Sequence, residues 1–255
     1  MSGRGLTRAA PAIEEAPTPV TVVIPVYDEA EHIERVVGDV ARALSRSGRP
    51  HAVLILNDGS GDWSPELERR LESNGAVRVR SFYPNEGKGA VLNRAFRLVD
   101  TELAVVIDAD GEYDAGDIEA VVRPLQKDEA DWVMGSRYGF GRRRPRQYRL
   151  TYFANWVINK WFFLLSGLKF QDLLTGLYGF RTEFVADLKL HEKRFSYTAE
   201  LVWKLLRHRD IRWREVPISY HFRTYAEGKK IKWWETGTIL LALWRYKLSP
   251  RQGRR

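Results

Sequence analysis

The chain has 255 residues, of which 44% are hydrophobic and 29% charged, and it contains no cysteine. This composition predicts a globular chain with a sizeable core, and it excludes disulfides, thiolate catalysis and zinc–thiolate sites. The formal net charge is +8, and residues 142–149 hold five arginines and no acid. A basic balance predicts an acidic partner, which is nucleic acid, anionic lipid or a phosphorylated substrate.

The N-terminal residues 1–19 are predicted to form a flexible leader, because they are rich in alanine and proline and hold no apolar run long enough for a signal peptide. Residues 150–168 are the segment that most resembles a transmembrane helix. Asn155, Asn159 and Lys160 interrupt this segment, so it is predicted to lie on a surface or in the core rather than to span a bilayer.

Strand and helix patterns alternate from residue 21 onwards. Apolar or alternating runs predict strands over residues 21–27, 52–58, 77–83, 103–110 and 130–137, with 77–83 at an edge. Helical periodicity predicts helices over residues 29–44, 65–71, 88–99 and 118–125. This alternation predicts an α/β fold with a mostly parallel sheet covered by helices on both faces. Ligands bind beyond the carboxyl ends of such strands, which makes residues 25–29, 57–60, 108–112 and 135–137 candidates.

Acidic residues crowd the end of the third buried strand, where Asp108, Asp110 and Glu112 occupy every second position. Alternate residues of an extended chain face the same side, so these carboxylates would repel one another unless something neutralises them. One interpretation is that the carboxylates bind Mg²⁺ or Mn²⁺, which takes oxygen ligands. The other is that they are solvated acids in a loop. The deeply apolar run before the acids favours the metal.

A phosphorylated ligand would suit both a metal and a basic surface. The Gly-rich residues 84–90 precede a helix, so their amides and Lys88 are candidates for holding a phosphate, with an ordinary turn as the alternative. The sequence contains no GxxxxGK[ST] loop, and no GxGxxG follows the first strand, which disfavours a dinucleotide-binding dehydrogenase.

Seven motifs in register give the chain a resemblance to a known family. They are PVYDEA (25–30), LNDGSGD (56–62), NEGKGAVLNRAF (85–96), DADGEYD (108–114), GSRY (135–138), QDLLTGLYGFR (171–181) and EVPISYHFRTYAEGKKI (215–231). Over residues 21–231 the chain resembles the family 2 glycosyltransferases, and within them the dolichol- and polyprenyl-phosphate hexose synthases. The resemblance implies the nucleotide-sugar-binding GT-A fold.

The resemblance also implies roles for individual residues. The donor-binding set would be Pro25, Tyr27, Glu29, Leu56, Asp58, Lys88, Asp108, Ala109, Asp110, Arg223 and Lys229. Asp108, Asp110 and Glu112 would hold Mg²⁺ or Mn²⁺, and Asp110, Arg137 and Asp172 would be catalytic. The chain departs from the family at Asn57, where Asp is usual, and at Glu112, where Gln is frequent.

The implied reaction displaces GDP or UDP from the anomeric carbon of a sugar, with inversion. A lipid phosphate acceptor is already ionised and needs no general base, and Arg137, Arg149, Arg223 and Lys229 would position the two phosphates. A hydroxyl acceptor, on a soluble molecule, a glycan or a glycolipid, would need a carboxylate base. Asp172 and Glu200 are the candidates, with a helix cap and a helix-face acid as their structural alternatives.

The resemblance divides the chain into a leader (1–19), a catalytic region (20–231) and an amphipathic helix with a basic tail (232–255). The catalytic region has a donor half (20–137) and an acceptor half (138–231), and an extra Leu-Tyr within residues 175–181 leaves the acceptor side open.

Aromatic residues of 150–168 and one helical face of the tail predict a membrane-bound surface. That face holds Trp233, Gly237, Leu240, Trp244 and Leu248, with core packing as the alternative. The expected location is the cytoplasmic face of an anionic membrane, with or without a separate membrane-protein partner. Nucleic acid is disfavoured as a partner, because carboxylates massed at the strand ends would repel its phosphates.

Overall fold

The computed structural model describes residues 16–138, 149–208, 210–223 and 235–249. Within these ranges the strands are β1 (Val20–Val26), β2 (His51–Asn57), β3 (Val77–Ser81), β4 (Leu103–Val106), β5 (Trp132–Ser136), β6 (Tyr178–Arg181) and β7 (Trp213–Pro217). The helices are α1 (Ala30–Arg46), α2 (Pro65–Glu72), α3 (Lys88–Leu98), α4 (Ile118–Gln126), α5 (Arg149–Ser166), α6 (Tyr197–Leu205) and α7 (Glu235–Leu248).

The seven described strands form one mixed sheet in the order β3-β2-β1-β4-β6-β5-β7. β1 pairs in parallel with β2 and β4, β2 with β3, and β5 with β7. β6 is antiparallel to both β4 and β5, its neighbours. The predicted α/β class with a mostly parallel sheet is confirmed, and β3 lies at the predicted edge.

The alternation of side chains along each strand builds two hydrophobic cores, one on each face of the sheet. Val22 and Ile24 of β1 pack with α1, α2 and α4, whereas Val23 between them packs with α3, α5, α6 and α7. β2 divides in the same way, with Ile55 in the first core and Leu54 in the second. Helices therefore cover both faces, as predicted.

β4 is shorter than the sequence predicts, because it ends at Val106 rather than at residue 110. The amide of Ile107 still donates to Val23, at 3.1 Å, and the chain then turns at residues 109–111, where Gly111 has a φ of +71°. Asp108 consequently precedes this turn and Asp110 lies in it, and neither is part of a strand, so the alternation argument does not apply to them.

Residues 150–168 form most of α5, which is partly in the core and partly on the surface, as predicted. Ile158 and Phe162 are fully buried, whereas Phe153 and Leu164 are exposed. The indole of Trp161 donates to the Leu240 carbonyl, at 3.2 Å, which ties α5 to α7. None of the helices that the structure describes has the length and apolar character needed to cross a membrane.

Several predictions fall on residues that lie outside the described ranges. They concern most of the leader, the arginines of 142–146, Lys229, Trp233 and the last residues of the basic tail.

Candidate active site

A cavity of about 630 Å³ lies beyond the carboxyl ends of the central strands. Most of the predicted site residues line it, namely Pro25, Tyr27, Glu29, Asp58, Lys88, Asp108, Ala109, Asp110, Glu112, Arg137 and Arg223. Leu56 does not line it, because its side chain is fully buried in the core on one face of β2. Most residues that the sequence predicts for the site therefore line one cavity, although they come from segments up to about 200 positions apart along the chain.

The turns after β1 and β2 hold each other in place at one end of the cavity. The amide of Asp28 donates to the Ser60 hydroxyl, at 3.0 Å, and the amide of Gly61 donates to the Asp28 carboxylate, at 2.8 Å. Tyr27 is 43% exposed beside these turns, at the mouth of the cavity. An exposed aromatic ring on a fixed turn is suited to stacking on a nucleotide base.

Asp58 organises the Gly-rich loop. Its buried carboxylate accepts from the amides of Glu86, at 2.9 Å, and Gly87, at 2.7 Å, and from the Asn85 side chain, at 3.0 Å. Asn57 ties the end of β2 to its neighbours, because its side-chain oxygen accepts from Ser60 and its amide group donates to Ser81, at 3.2 Å. An aspartate could not make that donation, so the departure at residue 57 has a structural consequence.

Backbone amides at the start of α3 already donate hydrogen bonds to acceptors within the protein. Those of Glu86 and Gly87 donate to Asp58, and that of Gly89 donates to the Lys193 carbonyl, at 2.8 Å. The structure therefore does not support the phosphate cradle that the Gly-rich pattern suggested. Lys88 instead presents its side chain to the cavity and forms an ion pair with Asp108. Burial opposes the ammonium form, but the charge of Asp108 raises the pKa of Lys88 above its ordinary value.

Asp110 is the carboxylate without a cation of its own. It makes no ion pair with any of the described residues, and its carboxylate accepts from the amide of Glu112, at 3.0 Å. Burial, reinforced by the charges of Asp108 and Glu112, raises the pKa of Asp110 to about 7. A cation placed beside this group would relieve the repulsion.

Glu112 anchors the segment that follows β7. It accepts from the Tyr220 hydroxyl and from the amide of Arg223, the latter at 2.8 Å. The guanidinium of Arg223 then reaches the Glu29 carboxylate and the Asp110 carbonyl, both at 2.9 Å. The segment between β1 and α1, the acidic turn and the chain after β7 are thereby joined on one side of the cavity.

These contacts test the predicted metal site. Within the described ranges, no three His, Asp or Glu side chains come together as a metal cage, and Asp108 and Glu112 already contact Lys88 and Tyr220. The chemistry of Asp110 fits a single protein ligand, since it is an oxygen donor that forms no ion pair with the described residues and whose charge is opposed by burial and by two acids. Mg²⁺ commonly keeps most of its ligands from phosphate and water, so this arrangement suits an ion that arrives with a diphosphate.

Arg137 and Asp172 form a buried ion pair. Both carboxylate oxygens of Asp172 accept from the guanidinium, at 2.6 and 2.7 Å, and Asp172 is fully buried. The Arg137 guanidinium also lies 5.0 Å from the centre of the Tyr220 ring. Asp172 does not line the cavity, so this arrangement favours a positioning role for it over a base role. Glu215 supports the pair, because its carboxylate accepts from the amides of Gln171 and Asp172, each at 3.0 Å.

Glu200 is also buried and fully engaged. Its carboxylate accepts from the amides of His191, at 2.8 Å, and Glu192, at 2.7 Å, and from the His191 ring. It also forms an ion pair with Lys204, at 2.7 Å. Glu200 lies outside the cavity wall and has no exposed surface, so the structure gives it the role of an anchor for residues 191–192.

The fold adds residues to the site that the motifs did not identify. One end of the cavity is apolar and is formed by Ala154 and Ile158 of α5, Leu174, Phe195 and Ile239 of α7. Arg194 lines the cavity next to Phe195. Helical periodicity in α5 and α7 was the available signal for the apolar wall, whereas no local pattern marks Arg194.

Comparisons with known proteins identify the family and the fold. A family model described as glycosyl transferase family 2 matches residues 21–188. Glycosyltransferase AglJ of Haloferax volcanii is 31% identical over 211 residues, which is 81% of this chain and 65% of that protein. Dolichol-phosphate mannosyltransferase of Pyrococcus furiosus is 25% identical over 212 residues, covering 82% and 58% respectively. The chain thus spans about three fifths of the length of these relatives.

A solved structure has the same fold. Glucosyl-3-phosphoglycerate synthase from Mycobacterium tuberculosis, in complex with Mn²⁺, UDP-glucose and phosphoglyceric acid, superposes with a TM-score of 0.67 at 20% identity. The match covers 91% of this chain and 81% of that one. The predicted GT-A fold is confirmed by this likeness.

Proposed function

The chain belongs to glycosyl transferase family 2, and we propose that it transfers a hexose from a GDP- or UDP-sugar to a polyprenyl or dolichyl phosphate, with inversion and with a divalent metal. The observation that carries the choice of acceptor is the burial of both predicted bases. Asp172 is committed to Arg137, and Glu200 is committed to residues 191–192 and Lys204. A phosphate acceptor needs no base, because it is already ionised near neutral pH.

The donor would lie with its base near Tyr27 and its diphosphate near Asp110 and Lys88. The proposed placement rests on the exposed ring at the cavity mouth and on the position of the acidic turn. The structurally similar phosphoglycerate enzyme was solved with Mn²⁺ and UDP-glucose, which supports a nucleotide sugar and a metal. When bound to Asp110, Mg²⁺ or Mn²⁺ would stabilise the charge that develops on the leaving diphosphate.

The acceptor would enter from the apolar end of the cavity. Ala154, Ile158 and Ile239 offer a hydrocarbon wall there, and Arg137, which pairs with Asp172, also lines the cavity. A phosphorylated lipid matches this combination of apolar wall and cation. The name of the Pyrococcus relative, a dolichol-phosphate mannosyltransferase, supports the same acceptor class. We accordingly keep residues 20–137 as the proposed donor half and residues 138–231 as the proposed acceptor half.

A membrane surface is part of this proposal. We use the name aromatic face for the exposed residues Phe153, Trp156, Phe163 and Leu164 of α5 with Leu241, Trp244 and Leu248 of α7. Their spacing places each set on one side of its helix, and Arg245 and Lys247 lie beside it. Large apolar side chains flanked by basic residues suit the cytoplasmic surface of an anionic membrane.

The alternative is a hydroxyl acceptor on a soluble molecule, a glycan or a glycolipid. The structurally similar enzyme was solved in complex with phosphoglyceric acid, which favours a small acceptor of that kind. Such a reaction needs a base, and Glu235 at the start of α7 is a carboxylate that lines the cavity. A Glu235→Gln variant would lose activity towards a hydroxyl acceptor and keep it towards a phosphate acceptor.

A donor and acceptor screen tests the proposal. The protein is incubated with Mn²⁺ or Mg²⁺ and radiolabelled GDP-mannose, UDP-glucose or UDP-N-acetylglucosamine, in detergent with a short polyprenyl phosphate. The matched acceptors are the corresponding polyprenol, which lacks the phosphate, and 3-phosphoglycerate. We expect label to enter the organic phase with the polyprenyl phosphate and not with the polyprenol.

Two results would change the conclusion. Label in the polyprenol product, or on phosphoglycerate, with no transfer to polyprenyl phosphate, would establish a hydroxyl acceptor. Transfer that persists undiminished after chelation with EDTA would contradict the proposed metal.

A further inference from the structure

Among the residues that the structure describes, those lining the cavity include more acids than cations, although its proposed ligand is an anion. The carboxylates that line it belong to Glu29, Asp58, Asp108, Asp110, Glu112 and Glu235, and the cations belong to Lys88, Arg137, Arg194 and Arg223. One divalent metal at Asp110 would not by itself balance both these acids and an incoming diphosphate. A cation that is not already neutralised is therefore valuable here.

Three of the four cations are already neutralised by acids. Lys88 pairs with Asp108, Arg137 pairs with Asp172, and Arg223 pairs with Glu29 at 2.9 Å. Among the residues that the structure describes, Arg194 has no ion-pair partner, and its side chain is exposed in the cavity. Arg194 thus retains a full charge for a ligand.

Residues 191–194 are held firmly against the donor loop. Glu200 fixes the amides of His191 and Glu192, and the Lys193 carbonyl accepts from the amide of Gly89. Gly87 has a φ of +98°, and a Cβ at this position would clash with the Lys193 carbonyl. Only glycine permits this close approach, so the backbone that carries Arg194 is positioned before any ligand arrives.

Arg194 lines the cavity beside the Gly-rich loop and on the side of Tyr27. Its Cγ would be 3.1 Å from a Cβ on Gly87, which places the stem of the side chain beside the loop held by Asp58. The charge of Asp28 raises the pKa of Tyr27 and the charge of Arg194 opposes that rise, so the guanidinium acts on the Tyr27 side of the cavity. The diphosphate of a nucleotide sugar would pass between Tyr27 and Asp110.

We propose that Arg194 binds the phosphates of the nucleoside-diphosphate donor, as a cation that the sequence motifs of the site do not include. This inference rests on the proposed donor class and is independent of the acceptor. The planar guanidinium is suited to the task, because it donates two parallel hydrogen bonds to phosphate oxygens. Arg194 would share the charge of the departing diphosphate with the metal at Asp110.

Calorimetric titration of UDP and GDP into the full-length protein with Mn²⁺ tests this inference, using the nucleotide that binds more tightly. We expect Arg194→Gln to weaken that affinity about tenfold, which corresponds to about 1.4 kcal/mol. Arg194→Lys should recover part of the loss. The matched control is Lys193→Gln, which removes a neighbouring cation that pairs with Glu86 instead of lining the cavity.

The corresponding nucleoside, uridine or guanosine, separates the phosphates from the rest of the ligand. Its affinity should be equal in wild type and in Arg194→Gln. An equal loss for nucleoside and diphosphate, or no loss in Arg194→Gln, would overturn the assignment. If the wild-type protein binds neither UDP nor GDP, the proposed function itself fails, and this inference fails with it.

Discussion

Asp110 combines a poor environment for a carboxylate with a central place in the cavity. Its burial and its two acidic neighbours work against the charged form, whereas the proposed metal would require that form. Groups that cost stability and lie in a cavity are typical of functional sites. The charge of Asp110 is thus better explained by a ligand than by the stability of the fold.

We predict that Asp110→Asn lowers metal-dependent transfer at least about 100-fold while the melting temperature does not fall. The amide keeps the size of the side chain and removes the repulsion by Asp108 and Glu112. Asp114→Asn is the control, because Asp114 is an exposed acid of the same segment that caps the turn after it. Wild-type turnover in Asp110→Asn would remove Asp110 from the metal site.

Glu215 gives the protein a pH-dependent stability. Burial raises the pKa of Glu215 from 4.5 to about 7, and the nearby charge of Asp172 acts in the same direction. Between these two values the folded state keeps a proton that the unfolded chain has released, so the free energy of unfolding decreases as the pH rises.

We predict that Glu215→Gln reduces this decrease between pH 5 and pH 8 by on the order of 2 kcal/mol. One oxygen of Glu215 accepts from both Gln171 and Asp172, and a glutamine carbonyl can do the same. Urea denaturation of wild type and variant across this pH range measures the difference. Parallel stability curves for the two proteins would contradict the assignment.

The contact between α3 and the segment before α6 depends on Glu200. This residue neutralises Lys204, which is only 9% exposed, and also fixes residues 191–192. A positioning role and a base role make different predictions for its substitution, because only the first links Glu200 to donor binding.

We predict that Glu200→Gln destabilises the protein by about 3 kcal/mol, since it leaves the Lys204 ammonium buried without its carboxylate. Donor affinity should weaken with it, because residues 191–194 lose their anchor. The control is Glu183→Gln at an exposed position, with an effect within about 0.5 kcal/mol. Loss of turnover with wild-type stability and wild-type donor affinity would instead identify a base.

Local sequence patterns were sufficient to predict the longer helices and strands but not the short strands. The long apolar runs of β1, β2 and β5 predicted buried strands, and the periodicity of α1 to α4 predicted helices that begin and end within about two residues of the observed bounds. β6 and β7 escaped prediction because they are only four and five residues long and contain arginine. Their strand conformation comes from pairing with β4 and β5, which no local pattern records.

Sequence patterns were likewise insufficient for those parts of the candidate site that depend on tertiary packing. The candidate residues of the acidic turn and of the strand ends could be recognised in the sequence, because they lie close together in short motifs. Arg194, Phe195 and Ile239 reach the cavity only through tertiary packing, from segments without a motif. Asp172 and Glu200 looked like candidate bases in the sequence, whereas only the structure reveals that Arg137 and Lys204 neutralise them.

The arrangement of the whole molecule places the aromatic face on α5 and α7, the two helices that also line the apolar end of the cavity. A lipid surface that bound this face would contact these helices on the side opposite to the one that lines the cavity. The same helices bury Ile158, Phe162, Ile239 and Leu243 in the core, so each has a structural side and an exposed side.

We predict that the double substitution Leu164→Ser and Leu248→Ser reduces co-sedimentation with phosphatidylglycerol liposomes several-fold. The two side chains are 75% and 64% exposed, so the stability should change by less than about 1 kcal/mol. Leu98→Ser is the control, because Leu98 is an exposed leucine of α3, away from α5 and α7. Unchanged sedimentation of the double variant would show that the aromatic face does not bind the membrane.

The contact between Gly89 and the Lys193 carbonyl has a consequence for how such enzymes diverge. The hydrogen bond uses only the backbone of residue 193, and the close approach of Gly87 is also to that backbone. The side chain at position 194 can therefore be exchanged without disturbing these backbone contacts, whereas the two glycines cannot. A descendant of this protein could therefore change how tightly position 194 holds the phosphates of the proposed donor while its architecture stays the same.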